Sequence, residues 1–139
     1  MVQSMKLILK QLGSGAFRSV FQFTEDLVAK IEPDDNFHNV MEYKLWKFVE
    51  ETPYLRKWFA PCHFLSSNGK VLLMSKVERR SKEHYPKKIP VFFDDLKYDN
   101  FGWIDNQFVC CDYASELIFA RLYSPMRMKT AEWWSHDEK

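Results

Sequence analysis

Three oxygen-bearing side chains in the second half of the chain have a spacing that suits phosphate chemistry. Asp95 and Asn100 lie five residues apart, and Asp112 closes a hydrophobic stretch typical of the second strand of a hairpin. Because a hairpin returns the chain to its starting point, we expect Asn100 and Asp112 to meet at its base. Mg²⁺ prefers hard oxygen ligands, and phosphoryl transfer needs a residue that orients the attacking hydroxyl. These residues predict a site for Mg²⁺ and a phosphate group.

A turn rich in small residues near the start of the chain is a second candidate for phosphate contact. Gly13, Ser14 and Gly15 open the sequence GSGAFRSV at residues 13–20, between strand-like runs at 6–12 and 17–23. Glycine has no Cβ, so its backbone can approach phosphate oxygens closely. An ordinary β-hairpin turn has the same pattern, so both interpretations stay open for this segment alone.

A lysine and a glutamate in the next two predicted elements need each other if both are buried. Lys30 stands in the apolar strand predicted at 27–32, and Glu42 lies on or beside the apolar stripe of the helix predicted at 37–51. A buried ammonium is costly without an anionic partner, so we expect an ion pair between the two. The alternative is a lysine on the solvent face of an edge strand. The stripe itself contains Val40, Met41, Leu45, Trp46, Phe48 and Val49.

The rest of the chain shows two hairpin patterns and one further helix. Strands at 62–66 and 70–77 flank Asn68-Gly69, a strong hairpin signal, and a second hairpin spans 101–111. A helix is predicted at 115–123. Residues 79–90 are interpreted as a solvated loop, with a contact surface for an acidic partner as the alternative. Its basic residues are Arg79, Arg80, Lys82, Lys87 and Lys88.

The order of these features resembles the protein kinase superfamily, most closely the compact kinase-like proteins of bacteria and bacteriophages. The glycine-rich turn, strand lysine, helix glutamate, Asp-x-x-x-x-Asn motif and Asp112-Tyr113-Ala114 follow one another over roughly residues 6–114. The resemblance implies an α+β, protein-kinase-like fold with a five-stranded antiparallel N-lobe sheet plus one helix and a strongly truncated C-lobe. Residues 1–139 would form a single minimal domain, divided into an N-lobe (1–77), a hinge and basic loop (78–90) and a reduced C-lobe (91–139).

The resemblance also implies how ATP would be held. Gly13, Ser14 and Gly15 would cover the ATP phosphates, and Lys30, held by Glu42, would contact the α and β phosphates. The adenine contacts would come from Val20, Val28, Met74 as the gatekeeper, Ser75 and Val77.

Transfer would depend on the second group of residues. By the resemblance, Asp95 would be the catalytic base, Lys97 the cation near the γ-phosphate, and Asn100 and Asp112 the Mg²⁺ ligands. The Asp95-Leu96-Lys97 sequence is similar to serine/threonine kinases. The implied function is ATP-dependent phosphotransfer to a serine or threonine of a host or partner protein or of the chain itself. The alternative is a pseudokinase-type module that binds nucleotide or protein without useful transfer.

Several residues depart from the family pattern. Arg18 stands at the place of the third glycine, where it would either add a phosphate contact or collide with the nucleotide. Phe93-Asp94 replace the expected His-Arg, so control through an arginine and a phosphorylated activation loop is not expected. Few residues separate the predicted hinge from Asp95, and few follow Asp112, which leaves little chain for a protein-substrate platform.

Composition narrows the remaining function classes. The net charge of +1 gives no general electrostatic reason for nucleic-acid or membrane binding, and we expect neither a signal peptide nor a membrane span. Cys62, Cys110 and Cys111 are interpreted as buried thiols of a reducing cytoplasm rather than a disulfide framework, and that would be the host cytoplasm for a phage-encoded chain. Trp133 and Trp134 are expected to pack onto the domain, with a homodimer or target-protein interface as the alternative.

Overall fold

An antiparallel sheet dominates the first half of the computed structural model, which describes residues 10–136. The strand order is β1-β2-β3-β5-β4 in this five-stranded sheet. Its strands are β1 (Gln11–Ser14), β2 (Ser19–Gln22), β3 (Leu27–Ile31), β4 (Cys62–Leu65) and β5 (Val71–Ser75). The predicted five-stranded antiparallel sheet is therefore confirmed. Residues 6–9 of the predicted first strand lie outside the described residues, and β1 extends to Ser14, so Gly13 and Ser14 belong to a strand.

The register of the central strands sets which side chains share a face. Val20 pairs with Lys30, and Val28 pairs with Met74. Directly paired residues of antiparallel strands point to the same face, and so do residues two apart on one strand. The side chains of Val20, Val28, Lys30 and Met74 therefore lie on one face of the sheet.

Helix α1 (His38–Val49) lies against the sheet through Leu45, Trp46 and Val49. Its N-cap residue, Phe37, has φ of 61° and makes no side-chain cap. The carboxylate of Glu32 instead accepts hydrogen bonds from the backbone N–H groups of His38 (3.0 Å) and Asn39 (2.8 Å). Glu32 thereby satisfies the free N–H groups at the start of the helix. A short helix, α2 (Pro53–Arg56), follows α1.

The second half of the chain contains two short strand pairs, each forming a small sheet, and one α-helix. Its elements are β6 (Lys88–Pro90), β7 (Phe101–Ile104), β8 (Gln107–Cys110), α3 (Glu116–Arg121) and β9 (Met128–Thr130), with β7 paired to β8 and β6 to β9. The predicted hairpin and the predicted last helix are present. The interpretation of 79–90 as a loop throughout is wrong, because Lys82–His84 is a 3₁₀ helix and β6 is a strand.

We call residues 78–136 the hairpin half and residues 10–77 the sheet half. Aromatic side chains fill the core of the hairpin half. Tyr85 makes edge-to-face contacts with four rings, those of Tyr98, Trp103, Phe108 and Trp133. The indole N–H of Trp133 donates to the carbonyl of Pro86 at 2.8 Å, so Trp133 packs onto the domain as expected. Trp134 is 38% exposed, and a homodimer through this tail stays a prediction. No helix among residues 10–136 has the length and apolar character needed to cross a bilayer.

Candidate functional site

Lys30 and Glu42 form the ion pair that the sequence predicts. The ammonium of Lys30, on β3, lies 2.7 Å from Oε1 of Glu42, on α1. Both residues are buried, at 4% and 0% exposure. Lys30 also donates to the backbone carbonyl of Cys111, just after β8, at 2.5 Å. The pair therefore links the sheet, the helix and the hairpin half.

The Glu42 carboxylate accepts hydrogen bonds from three partners. Oε1 accepts from Lys30 and from Nη1 of Arg18 (2.8 Å), and Oε2 accepts from the backbone N–H of Tyr113 (2.6 Å). Burial acts to raise the pKa of Glu42, but the two cations outweigh burial and lower it to about 2. Glu42 is therefore ionised at neutral pH although it is fully buried.

Arg18 reaches into the same site from the turn between β1 and β2. Its guanidinium donates to Oδ1 of Asn39 (3.1 Å), Oε1 of Glu42 (2.8 Å) and Oδ1 of Asp112 (3.0 Å). Its side chain is only 10% exposed. Burial opposes the charge, but Glu42 and Asp112 raise the pKa of Arg18 above its usual value. The sequence showed that an arginine replaces the third glycine, but it did not predict these partners.

Asn39 is a buried contributor that the sequence did not reveal. Its side-chain amide donates to the carbonyls of Lys30 (3.0 Å) and Gly69 (3.1 Å), and its oxygen accepts from Arg18. With 0% exposure, Asn39 holds β3, the turn before β5 and Arg18 together. The one feature of the sequence that could have indicated a buried role for Asn39 is its place, as a polar residue, at the start of a helix face that is otherwise apolar.

Asp95, Asn100 and Asp112 meet at a cleft of about 250 Å³. The amide of Asn100 donates to the carbonyl of Asp95 (3.2 Å), and the Asn100 carbonyl accepts from the N–H of Cys111 (2.7 Å). The base of the hairpin thus joins the loop that carries Asp95 to the strand end that carries Asp112, as the sequence predicts. The cleft is completed by Phe93, Asp94, Phe101, Cys110, Ala114, Ser115 and Ile118.

The donors in this cleft fit Mg²⁺. Asn100 and Asp112 offer oxygen atoms, and the Asp112 side chain is 54% exposed. No group of three or more His, Cys, Asp or Glu side chains that could hold a metal occurs in the described part of the chain. A metal here would therefore need phosphate and water oxygens as further ligands, which is how Mg²⁺ is usually held beside a nucleotide.

Lys97 does not line this cleft. Its ammonium lies 5.8 Å from the centre of the Trp134 ring, a cation–π distance. The backbone of Lys97 also forms a parallel bridge with Trp134. The structure thus brings Asp95, Asn100 and Asp112 together at the cleft but turns Lys97 towards the C-terminal segment.

The residues predicted to contact adenine lie beside Lys30. Val20, Val28 and Met74 share its sheet face, as the strand register shows. Residues 75–78 lead into the loop that the resemblance implies as the hinge, and we call them the hinge segment. The N–H of Ser75 donates to the carbonyl of Pro61 (2.9 Å), and that of Glu78 donates to the carbonyl of Trp103 (2.8 Å).

The N–H of Val77, by contrast, has no hydrogen-bond partner within residues 10–136. Lys76 donates to Asp26 at 2.8 Å, so the backbone donors on both sides of Val77 are occupied. This one N–H of the hinge is therefore free for a ligand.

Neither Gly13, in β1, nor Gly15, in the turn that follows, has surroundings that would exclude a side chain. A Cβ built on Gly13 would have no other atom within 4 Å, and one on Gly15 would lie 3.9 Å from the carbonyl of Arg18, an ordinary contact. Ser14 is exposed beside them. The fold alone therefore gives no steric reason for a glycine at either position.

The three cysteines are free thiols. Cys62 and Cys110 are buried, and burial raises the pKa of Cys62 to about 12 and that of Cys110 well above its usual value. These thiols are therefore protonated at neutral pH, and the structure gives them packing contacts rather than reactivity.

No protein-family model matches the chain, and no curated protein matches its sequence. Among solved structures, the chain is similar to the ternary complex of streptomycin, ATP and APH(2")-IIa, with a TM-score of 0.54 and 13% sequence identity. The match covers 77% of this chain and 66% of that chain, so it spans just under two thirds of the other protein. At this identity the likeness concerns the fold, and it confirms the kinase-like fold implied by the sequence.

Proposed function

We propose that this protein is an ATP-dependent phosphotransferase that transfers the γ-phosphoryl group to a serine or threonine hydroxyl, on a partner protein or on itself. The observation that carries the proposal is the hydrogen bond from Lys30 to the carbonyl of Cys111. It places the buried Lys30–Glu42 pair next to the cleft formed by Asp95, Asn100 and Asp112. The fold that the chain shares with a protein solved in complex with ATP supports ATP as the donor.

The sheet and the hinge supply an adenine site. Val20, Val28 and Met74 offer an apolar surface, and the free N–H of Val77 can donate to a ring nitrogen, with the carbonyl of Ser75 as the acceptor. Since neither Gly13 nor Gly15 is required by packing, close approach of phosphate to the backbone would explain both glycines.

The phosphoryl group would be transferred in the cleft. The acceptor hydroxyl oxygen attacks the γ-phosphorus, the bond to the β–γ bridging oxygen breaks, and ADP leaves. The carboxylate of Asp95 takes the hydroxyl proton, and the amide of Asn100 fixes the backbone of Asp95 for this role. Asn100 and Asp112 would hold Mg²⁺, which neutralises phosphate charge when it is bound. Lys30 neutralises charge on the α and β phosphates.

A second candidate is a protein that binds nucleotide, or a partner, without transfer. Two observations favour it: Arg18 is paired with Asp112, and Lys97 lies over Trp134 instead of beside the cleft. In this case Asp95 would have no function that depends on its carboxylate.

Transfer of labelled γ-phosphate from Mg·ATP distinguishes the two candidates. The acceptors are the protein itself, a cell lysate, and an aminoglycoside such as streptomycin, the ligand named for the similar structure. The variants are Asp95→Ala and, as a matched control, Asp99→Ala, which removes an exposed carboxylate from the same loop outside the cleft. We expect label on protein with the wild type and Asp99→Ala but not with Asp95→Ala.

Other outcomes contradict specific parts of the proposal. Label on the aminoglycoside alone would replace the protein acceptor by a small molecule. ATP binding without label on any acceptor would favour the second candidate. Equal labelling by wild type and Asp95→Ala would remove Asp95 from the mechanism.

A further inference from the structure

The guanidinium of Arg18 has hydrogen-bond donors left over beside Asp112, which lines the cleft. An arginine carries five N–H donors in a planar fork. Three hydrogen bonds to Asn39, Glu42 and Asp112 use two hydrogens of Nη1 and one of Nη2. Nε–H and the second hydrogen of Nη2 have no partner in the described part of the chain. The side chain is nine-tenths buried and still able to bind one more acceptor.

Arg18 offsets part of the negative charge around the cleft. Arg18 and Lys30 together neutralise Glu42 and Asp112, to which they are paired. Asp94 and Asp95 add two more carboxylates along the cleft, and the guanidinium of Arg121 lies 4.0 Å from Asp94. Without Arg18, the site would carry one more uncompensated negative charge, which would repel a polyphosphate unless an added cation offset it.

The two carboxylate partners of Arg18 hold it with unequal strength. Glu42 is fully buried, so its pair with Arg18 is weakly screened, and Asn39 adds a buried hydrogen bond. Asp112 is 54% exposed, so solvent screens its pair with Arg18 and rearrangement there costs little. Arg18 is therefore anchored at its Nη1 side, while its Nη2 side bonds to Asp112, which lines the cleft, and can adjust to a ligand.

We propose that Arg18 bridges Asp112 and a nucleotide phosphate, so that this protein binds nucleoside triphosphate without a divalent metal. In phosphotransfer sites a metal usually links a carboxylate to the phosphate oxygens. Arg18 already lies on that carboxylate, and guanidinium binds phosphate oxygens through two donors at once. The inference rests on the proposed function only in taking this cleft as the ATP site. It concerns binding, and Mg²⁺ keeps its place in transfer through Asn100 and Asp112.

The test is ATP affinity measured by calorimetry, with excess EDTA and with excess Mg²⁺. For the wild type we expect the two affinities to differ by less than about tenfold, which is about 1.4 kcal/mol. Arg18→Gln should weaken binding in EDTA by more than about tenfold, and Mg²⁺ should restore part of that loss. The ATP affinity of Arg18→Lys in EDTA should lie between those of the wild type and Arg18→Gln, because an ammonium keeps the charge but lacks the planar fork.

Arg56→Gln is the matched control, since it removes the same charge from an exposed residue of α2 whose guanidinium donates to the carbonyl of Glu50. Its affinities should equal those of the wild type in both conditions. Unfolding midpoints of all variants would show whether Arg18→Gln still folds, and Arg18→Lys gives the answer if it does not.

Three results would overturn the inference. Wild-type binding that needs Mg²⁺ would contradict it and leave the proposed function intact. Equal EDTA affinity in wild type and Arg18→Gln would show that Arg18 does not contact phosphate. No ATP binding in either condition would contradict the proposed function and, with it, this inference.

Discussion

At the scale of single residues, the site depends on the carboxylate of Glu42, which is buried and ionised at neutral pH. Glu42 is fully buried and would be costly to ionise alone, but Lys30, Arg18 and the N–H of Tyr113 all donate to it. The same three contacts fix the positions of a strand, a turn and the segment after β8. Glu42 therefore both balances the charges of Lys30 and Arg18 and holds these three elements together.

The lowered pKa of Glu42 predicts a loss of stability in acid. Its pKa falls from 4.5 in the unfolded chain to about 2 in the fold. A lowered pKa contributes stability that is present above pH 4.5 and is lost as the pH falls towards 2. This difference corresponds to about 3 kcal/mol. Urea unfolding over this pH range should show a steeper decline for the wild type than for Glu42→Gln.

Glu42→Gln should also be less stable at neutral pH, by about 3–5 kcal/mol, because Lys30 and Arg18 lose their buried partner. Glu50→Gln is the control: Glu50 pairs with Lys47 on the surface, where solvent screens the pair, so its acid profile should follow the wild type. Parallel acid profiles for wild type and Glu42→Gln would show that Glu42 does not titrate at a lowered pKa.

Tyr113 offers a second test at this scale. Its hydroxyl donates to the carbonyl of Ala60 at 2.7 Å, and the side chain is 1% exposed. Tyr113→Phe should cost about 1–3 kcal/mol of unfolding free energy, because that buried carbonyl loses its donor. Tyr123→Phe removes a hydroxyl from a side chain that is 71% exposed, and it should change stability by less than about 0.5 kcal/mol. Equal effects of the two substitutions would mean that the hydroxyl of Tyr113 contributes nothing.

The residues of the site were predictable to different degrees. Lys30, Glu42, Asp95, Asn100 and Asp112 occur at spacings that local elements bring together, so sequence alone indicated their proximity. The partners of Arg18 and Asn39 depend on the position of a turn over a helix, and no local pattern encodes that position. The resemblance implied Lys97 near the γ-phosphate, whereas its ammonium lies over the ring of Trp134, a contact between residues too distant in sequence for a local pattern to indicate.

At the scale of elements, the hinge is attached to the hairpin by a close backbone contact. Glu78 and Trp103 exchange two hydrogen bonds, at 2.8 and 3.0 Å, and Gly102 lies directly under Val77. A Cβ on Gly102 would lie 2.5 Å from Cγ2 of Val77 and 3.0 Å from the carbonyl of Glu78. Glycine here allows β7 to approach the hinge whose free N–H we assign to adenine.

Gly102→Ala should therefore destabilise the protein by about 1–3 kcal/mol, as overpacking of a tight contact does. It should also weaken ATP binding, since the hinge must move away from β7. Gly13→Ala is the control for stability, because a Cβ there would have no other atom within 4 Å. A neutral Gly102→Ala, measured by urea unfolding, would show that β7 and the hinge can separate without cost.

The pairing of β6 with β9 shows what a local pattern cannot reveal. Both strands have three residues, too few for a visible period of alternation, and nearly forty residues separate them. The predicted hairpins, by contrast, have adjacent strands and turn residues such as Asn106, which adopts φ of 66°. Elements joined by short turns were predicted, whereas the distant pair was not.

The segment after β9 is expected to stabilise the loop that carries Asp95. Trp133 packs between Tyr85 and Phe108, while Trp134 exchanges backbone hydrogen bonds with Leu96 and Tyr98. Trp133→Ala should cost about 3 kcal/mol of unfolding free energy. Trp134→Ala keeps those backbone bonds and should cost about 1 kcal/mol or less. A larger loss from Trp134→Ala would reverse the assignment of which indole anchors the segment.

At the scale of the whole molecule, polar contacts join the sheet half to the hairpin half, and the two halves share one hydrophobic core. Trp58 and Ala60 exchange backbone hydrogen bonds with Cys110, at 2.8 and 2.9 Å. Lys30 and Glu42 bond to Cys111 and Tyr113, as described above. Buried apolar residues from Val28 to Leu122 belong to one continuous cluster. Neither half can lose its structure without exposing buried polar groups of the other.

We therefore expect a single cooperative unfolding transition. Trp46 and Trp58 report on the sheet half, and Trp103 and Trp133 report on the hairpin half, so tryptophan fluorescence and far-UV circular dichroism should give the same midpoint. Because ATP would contact both halves, ligand at a hundredfold excess over Kd should add about 2.7 kcal/mol to that one transition. Two midpoints, of which ATP shifts only one, would show that the nucleotide binds one half alone and that the shared contacts do not make the halves cooperative.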